Sequence, residues 1–315
     1  LLLSGLVFAT GADFPSFADS TIMQWLIAFH ILLLIFQPFD LSTLVMPWVK
    51  PVHQLCLNFA PASDYRVWYH AIVCGENLSP SMEKNWFQQT GLIHVIVVSG
   101  SHLVFLEDIL RFLKLPNWLR WSVLLFFSLA SNLQPPITRA LIQRVWNAFF
   151  QRQQIVMRSL HLQLLAGVTT LALFPSWWTS LSFLMSWLCV LALSLPMPSK
   201  HPLWQAALIY LLLIPAMLNI QTPHPAGILF NVMLAPVLGF VLFPMSLIGF
   251  FHPWLAAVSD AAWRLLFFLF SQIPLPEAAN GILFSSLWLI IYLVLVQFAS
   301  FGSVIFLRRK LWTRS

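Results

Sequence analysis

Two groups of residues have the types and spacing to do chemistry. The first is Ser99-Gly100-Ser101-His102, with His94 upstream. A serine hydroxyl beside an imidazole is the material of a nucleophile and its general base. Neighbouring residues on a helix do not face one another, however. No Asp or Glu stands where it would orient His102. His94 and His102 offer two imidazoles to a metal, but no third ligand has matching spacing. The histidines are therefore expected to be hydrogen-bonded inside a bundle. None of the lysines sits in a G-x-x-x-x-G-K-[ST] context, so no P-loop chemistry is expected. The sequence predicts no enzyme, no cofactor and no metal.

The second group is the segment "RALIQRVWNAFFQRQQIVMR". Its polar residues are Arg139, Gln143, Asn147, Gln151, Gln154 and Arg158, at steps of four, four, four, three and four. That is one polar stripe along a helix. Arg144 and Arg152 lie beside it. The preceding "QPPIT" supplies helix-start signals. One reading is an amphipathic helix on anionic lipid. The other is a helix lining a polar pathway. The amides favour the pathway, because a lipid-surface helix has a face rich in Lys and Arg. Trp146 and Phe150 flank the stripe, where they could stack on bases.

Both groups must be held by membrane-type elements. Of 315 residues, 59% are hydrophobic and 8% charged, against about a quarter charged in a soluble domain. The mean hydropathy is +0.83. Too little charge remains to coat a water-facing surface, so an all-α polytopic membrane protein is expected. Apolar runs fall at Leu1–Ala9, Ile22–Phe36, Leu92–Leu113, Trp118–Ala130, Leu160–Phe174, Trp178–Leu195, Leu203–Ile220, Gly227–Phe251, Leu255–Ile273 and Ile282–Leu307. A full span needs about 20 apolar residues, so the shorter runs are expected to tilt or re-enter. No signal peptide is expected from the first run, which lacks a small-x-small cleavage site. Leu41–Pro80 reads as short helices and loops near one membrane face. Cys56, Cys74 and Cys189 read as apolar fillers rather than a disulfide frame or a zinc site.

The run containing Ser99–Ser101 predicts a broken helix. Freed backbone groups at membrane depth must be met by protein or water. A half-helix starting there points its N–H groups and positive dipole end into the bundle, which suits an anion. Glu107 and Asp108 are expected to pair locally with Arg111. No Asp or Glu lies between Ile109 and Ser259, while Arg and Lys recur there. That bias fits cytoplasmic loops, and it also fits an anion's path. Counting crossings back from Arg308, Arg309, Lys310 and Arg314 puts Lys200, Arg152 and Arg158 on the cytoplasmic side with the C-terminus. Arg264, inside a span, is expected to face the interior, with Asp260 as partner.

Ala71–Leu113, "AIVCGENLSPSMEKNWFQQTGLIHVIVVSGSHLVFLEDILRFL", resembles the signature of the ComEC-type competence proteins. The matching positions are Gly75-Glu76, Phe87, Thr90-Gly91-Leu92, His94, Ser99-Gly100 and His102. A second signature, Pro-Ser-x-x-Arg-Ala, is similar to Pro135, Pro136, Arg139 and Ala140. Asn231, Pro236 and Pro244 match a third, and the likeness extends to Ile273. Ser101 stands for the usual Leu, Pro136 for Ser, and Ser176 lies near the usual Asp.

The resemblance implies an inner-membrane channel that passes single-stranded DNA during natural transformation in bacteria. It implies working partners: a cytoplasmic ATPase, a periplasmic DNA receptor and a nuclease. The oligonucleotide-binding and metallo-β-lactamase-like modules of longer relatives have no counterpart in these residues. Strand degradation is therefore expected from another protein. The expected organisation is N-terminal helices and peripheral segments over 1–70, a channel domain over 71–307 and a basic tail over 308–315. The expected pathway residues are Arg139, Gln143, Arg144, Trp146, Asn147, Gln151 and Arg158. His94, Ser99, Gly100, Ser101, His102 and Asn231 are expected to shape the channel. Two other classes stay open: a transporter of a smaller anion or lipid-linked substrate, and a non-catalytic scaffold recruiting a nuclease or ATPase.

Overall fold

The computed structural model describes residues 40–78, 81–90, 92–96, 99–155, 159–194, 202–220, 227–272 and 288–297, with a few single positions outside these stretches. Among the described residues all regular structure is helical. In chain order the helices are α1 (Ser42–Phe59), α2 (Arg66–Ile72), α3 (Met82–Gln89), α4 (Ile93–Ile96), α5 (Gly100–Phe112), α6 (Asn117–Ala130) and α7 (Pro135–Arg152). Then come α8 (Ser159–Leu173), α9 (Leu181–Ser194) and α10 (Pro202–Met217). The last are α11 (Gly227–Gly249), α12 (Pro253–Ser271) and α13 (Trp288–Gln297). A π-helical turn at Leu238–Leu242 widens α11. It lies between Pro236 and Pro244, which have no N–H to give the helix ladder.

The apolar run Leu92–Leu113 is indeed broken, into α4 and α5. Helices α11 and α12 are long and apolar enough to cross a membrane; α8, α9, α10 and α13 are apolar but shorter. Ser42–Phe59, within the stretch expected as short helices and loops, forms one helix through Pro47 and Pro51. Those prolines are four apart and both exposed, so their missing N–H groups leave the buried face intact.

Helix direction follows from contacts. Gly100 of α5 lies against Pro136 and Ala140 of α7, and Glu107 pairs with Arg144 further along. Helices α5 and α7 are therefore parallel. The short turns at 113–116 and 131–134 make α6 antiparallel to both. Helix α11 opposes α5 where they meet, since Phe105 contacts Phe240 and His102 contacts Phe243. Gly227, at the start of α11, is buried against Tyr210 and Thr90. The crossing count from the C-terminus would instead run residues 227–251 with α7. Count and packing disagree there.

The two ends of the α5–α7 unit differ chemically. One end carries Arg111, Lys114, Arg120 and Arg152. The other carries a disulfide between Cys56 and Cys74, whose Cα atoms are 5.9 Å apart. This corrects the reading of those cysteines as fillers; Cys189 is the free one. Helix α1 lies across this end. Its Leu41 N–H donates to Leu173 O (2.8 Å) at the end of α8. Its His53 Nδ1 bonds with Ala130 O (2.8 Å) at the end of α6, and His53 Nε2 is 3.4 Å from Glu76. The turn Asn132–Leu133 has φ of 56° and 45°, and Gly75 sits at φ 74° against Ser131 O. A Cβ on Gly75 would approach that oxygen to 2.8 Å, so the turn needs glycine.

Around this cap, burial raises the Asp40 carboxyl, yet hydrogen bonds from Ser42 and Ser176 outweigh it and leave the pKa lowered. Burial also holds the His70 imidazole below its ordinary value.

Two apolar clusters fill the bundle. One gathers Trp68, Phe87, Leu103, Phe127, Phe243 and Trp263 among others, and takes Ile137 and Ala140 from α7. The other gathers Leu164, Leu171, Trp187, Leu191 and Leu213 from α8–α10, with Leu289 and Leu293 of α13. Helix α7 stands between them. Gly167 allows the second cluster to close, since a Cβ there would fall 2.4 Å from the Trp187 ring. Arg264 lies on the exposed face of α12 rather than inside. Asp260 is engaged elsewhere, accepting from Tyr69 Oη (2.9 Å). Trp263, next to Arg264, takes the buried side of that helix.

Replacing Cys56 and Cys74 by serine is expected to lower unfolding stability by about 3 kcal/mol, from the freed chain between them. Thermal unfolding of the purified protein, with and without reductant, measures this.

Candidate functional site

The helix break is built by its own side chains. Ser99 is extended (φ −95°, ψ 160°) and precedes the first turn of α5. Its backbone N–H donates to His102 Nδ1 at 3.1 Å. The imidazole thus takes the part that Glu or Gln plays in a capping box. Because Nδ1 accepts, the ring is neutral and its proton sits on Nε2, which is buried without a partner among the described residues. The ring stacks on Phe243 at 4.3 Å. The Ser99 and Ser101 hydroxyls bond to one another. Nothing here deprotonates a serine: the accepting nitrogen of His102 is occupied by a backbone N–H.

The break abuts α7. A Cβ on Gly100 would lie 3.0 Å from Pro136 O, 3.2 Å from Ala140 Cβ and 3.6 Å from Arg139 Nη2. The N–H groups of Gly100 and Ser101 open α5 and have no place in its own ladder. Arg139, beside them, is 2% exposed. Its Nε donates to Ser186 Oγ (3.2 Å) on α9, and Nη1 donates to Gln143 Oε1 (3.2 Å). Among the described residues no carboxylate pairs with it. The charge is held by neutral oxygens alone.

Below Arg139 the polar stripe continues. At about 100° per residue, Gln143, Asn147 and Gln151 share an arc of about 80° with Pro136 and Ala140, which touch Gly100. The stripe therefore faces the α5 side, with Arg139 and Arg144 on its two flanks. Gln143 and Asn147 are half-buried and Gln151 is exposed. The break and the stripe meet along one seam.

Several expected roles change. Arg144 is not free, because its Nε is 2.8 Å from Glu107 Oε2. Glu107 also pairs with Arg111, so it is a cross-helix residue and not merely local. Trp146 is no open stacking platform. Its indole N–H donates to Thr169 on α8 (3.1 Å), and its ring lies on Phe150. Asn231 is away from the seam. Its amide donates to Thr90 O (3.0 Å) and Gly227 O (2.7 Å), fastening α11 to the end of α3. Arg158 and the His94 side chain lie outside the described residues. Sequence reasoning missed Ser186, whose only signal was its place in an apolar run. No cluster of His, Cys, Asp and Glu among the described residues could hold a metal.

A family model described as competence protein matches residues 72–314. The chain belongs to the competence-protein family. The match begins at α2 and takes in the break, the stripe and both long apolar helices. No curated protein and no solved structure matches the chain. Membership brings a setting of DNA uptake and membrane association, and the two long apolar helices agree with it.

Gly100→Val is expected to lower stability by about 1–3 kcal/mol, because its branched side chain must displace the backbone of α7. Gly239→Ala, with open space around it, should be near neutral. Thermal unfolding in detergent compares the two.

Proposed function

We propose that this competence protein is a multi-pass channel of the bacterial inner membrane that passes single-stranded DNA, with the α5–α7 seam as its conduit. One observation carries this: the buried, acid-free Arg139 beside the opening N–H groups of α5. A buried guanidinium without a counter-charge is expensive inside an apolar bundle. A passing phosphate would supply the missing charge, and a helix N-terminus would add to its binding. The amides of Gln143, Asn147 and Gln151 give a polar lining without further fixed charge, so the strand can slide. Helix α7 lies between two apolar clusters; it gives Ile137 and Ala140 to the first, which α5 joins through Leu103, Leu106 and Leu110.

The disulfide end would face the oxidising periplasm and the Arg/Lys end the cytoplasm. DNA would then reach the Ser99–Arg139 region first. An ATPase, a DNA receptor and a nuclease would act as separate partners, with the bilayer around the bundle.

A second reading is a carrier of a smaller anion. The close packing of Gly100 on α7 favours it, since the seam is shut here. DNA uptake separates the two readings. Arg139→Ala should reduce transformation at least about tenfold while membrane insertion and protein level stay normal. Transformation at the unaltered level, with normal protein amounts, would sink the DNA reading.

A further inference from the structure

The ion pair that took Arg144 out of the expected pathway has an unequal geometry. Glu107 is 7% exposed and joins two guanidiniums. Arg111, on its own helix, makes a hydrogen bond to Oε1. Arg144, across the seam, reaches Oε2 at 2.8 Å. That oxygen nevertheless has no aligned hydrogen bond, so Arg144 is held by charge and not by a directed N–H. One carboxylate between two cations leaves a surplus positive charge. If Arg144 leaves, Glu107 keeps Arg111 and is not stranded. The Arg144 side chain is still 23% exposed, so an anion can reach it.

We propose that Glu107–Arg144 is a clasp that closes the α5–α7 seam at rest, and that a phosphodiester opens it by taking Glu107's place on Arg144. This rests on the DNA reading and adds its gating. The break end of the seam is sealed by the contact of Gly100 with Pro136 and Ala140. Lower down, where α7 presents amides, the Glu107–Arg144 pair is the polar link across the seam among the described residues. Exchange of one anion for another on Arg144 keeps the guanidinium neutralised throughout, so opening does not bury a bare charge. The clasp thus responds to strand and not to voltage or chloride alone, since a polyanion brings the next phosphate as the first moves on.

The full chain in liposomes tests this, with ion leak read by a membrane-potential dye and a short oligothymidylate as probe. Wild type should be tight at rest and leak on adding oligonucleotide. Glu107→Gln should raise the resting leak about tenfold, as expected for losing one charge-assisted contact, and lose most of the oligonucleotide response. Arg144→Gln leaves Glu107 with Arg111, so it should fold even if Glu107→Gln does not. It too should leak at rest, and bind the oligonucleotide more weakly. The charge-reversed pair Glu107→Arg with Arg144→Glu should close the seam again. Wild-type leak in both single variants, or an unchanged oligonucleotide response, overturns the clasp. A wild type that neither binds nor responds to oligonucleotide overturns the DNA reading itself.

Discussion

A guanidinium buried without an acid is the constraint around which this bundle is arranged. The described hydrogen bonds of Arg139 go to a serine hydroxyl and a glutamine amide oxygen. Those oxygens orient the group but leave its charge in place. The half-helix of α5 begins against it and adds the positive end of a dipole. Two features of one electrostatic sign are brought together where helix packing alone would separate them. A buried charge without a counter-charge is costly, and that cost is what marks the place as a candidate anion site.

Apolar packing surrounds that place. One cluster gathers residues of α2 to α7, α11 and α12, and the other gathers residues of α8–α10 and α13. Helix α7 gives Ile137 and Ala140 to the first and hydrogen-bonds α8 through Trp146 and α9 through Arg139. The cap of α1, the Cys56–Cys74 bridge and the Gly75–Ser131 contact hold one end of α6 and α7 together. In the proposed conduit, opening would run along the polar side of α7, where Gln143, Asn147 and Gln151 and the Glu107–Arg144 pair lie.

The sequence was informative where the signal is local. The break at Ser99 was legible because Gly and Ser interrupt an apolar run, and the α7 stripe because steps of four and three define a face. Long-range pairings were not legible. Cys56 and Cys74 are 18 residues apart with no motif between them, and only the turn through Gly75 brings them together. Glu107 had a correct local partner in Arg111, which hid its second partner on another helix. Trp146 looked free because Thr169 carries no signal of its own. The cost of a membrane-buried charge and the nearness of Asp260 point Arg264 inward, but Asp260 accepts from Tyr69 and Arg264 is exposed. Asn231 is expected to shape the channel, but its contact, tying α11 to Thr90, spans 141 residues.

The central claim is that a DNA strand runs along one face of α7. Single cysteines at Gln143 and Asn147, and at Val145 and Phe149 on the outward face, can be challenged with thiol-reactive single-stranded DNA during uptake. Cross-links at 143 and 147, with none at 145 and 149, are predicted. Equal labelling of both faces, or labelling only at 145 and 149, would contradict a strand in the α5–α7 seam.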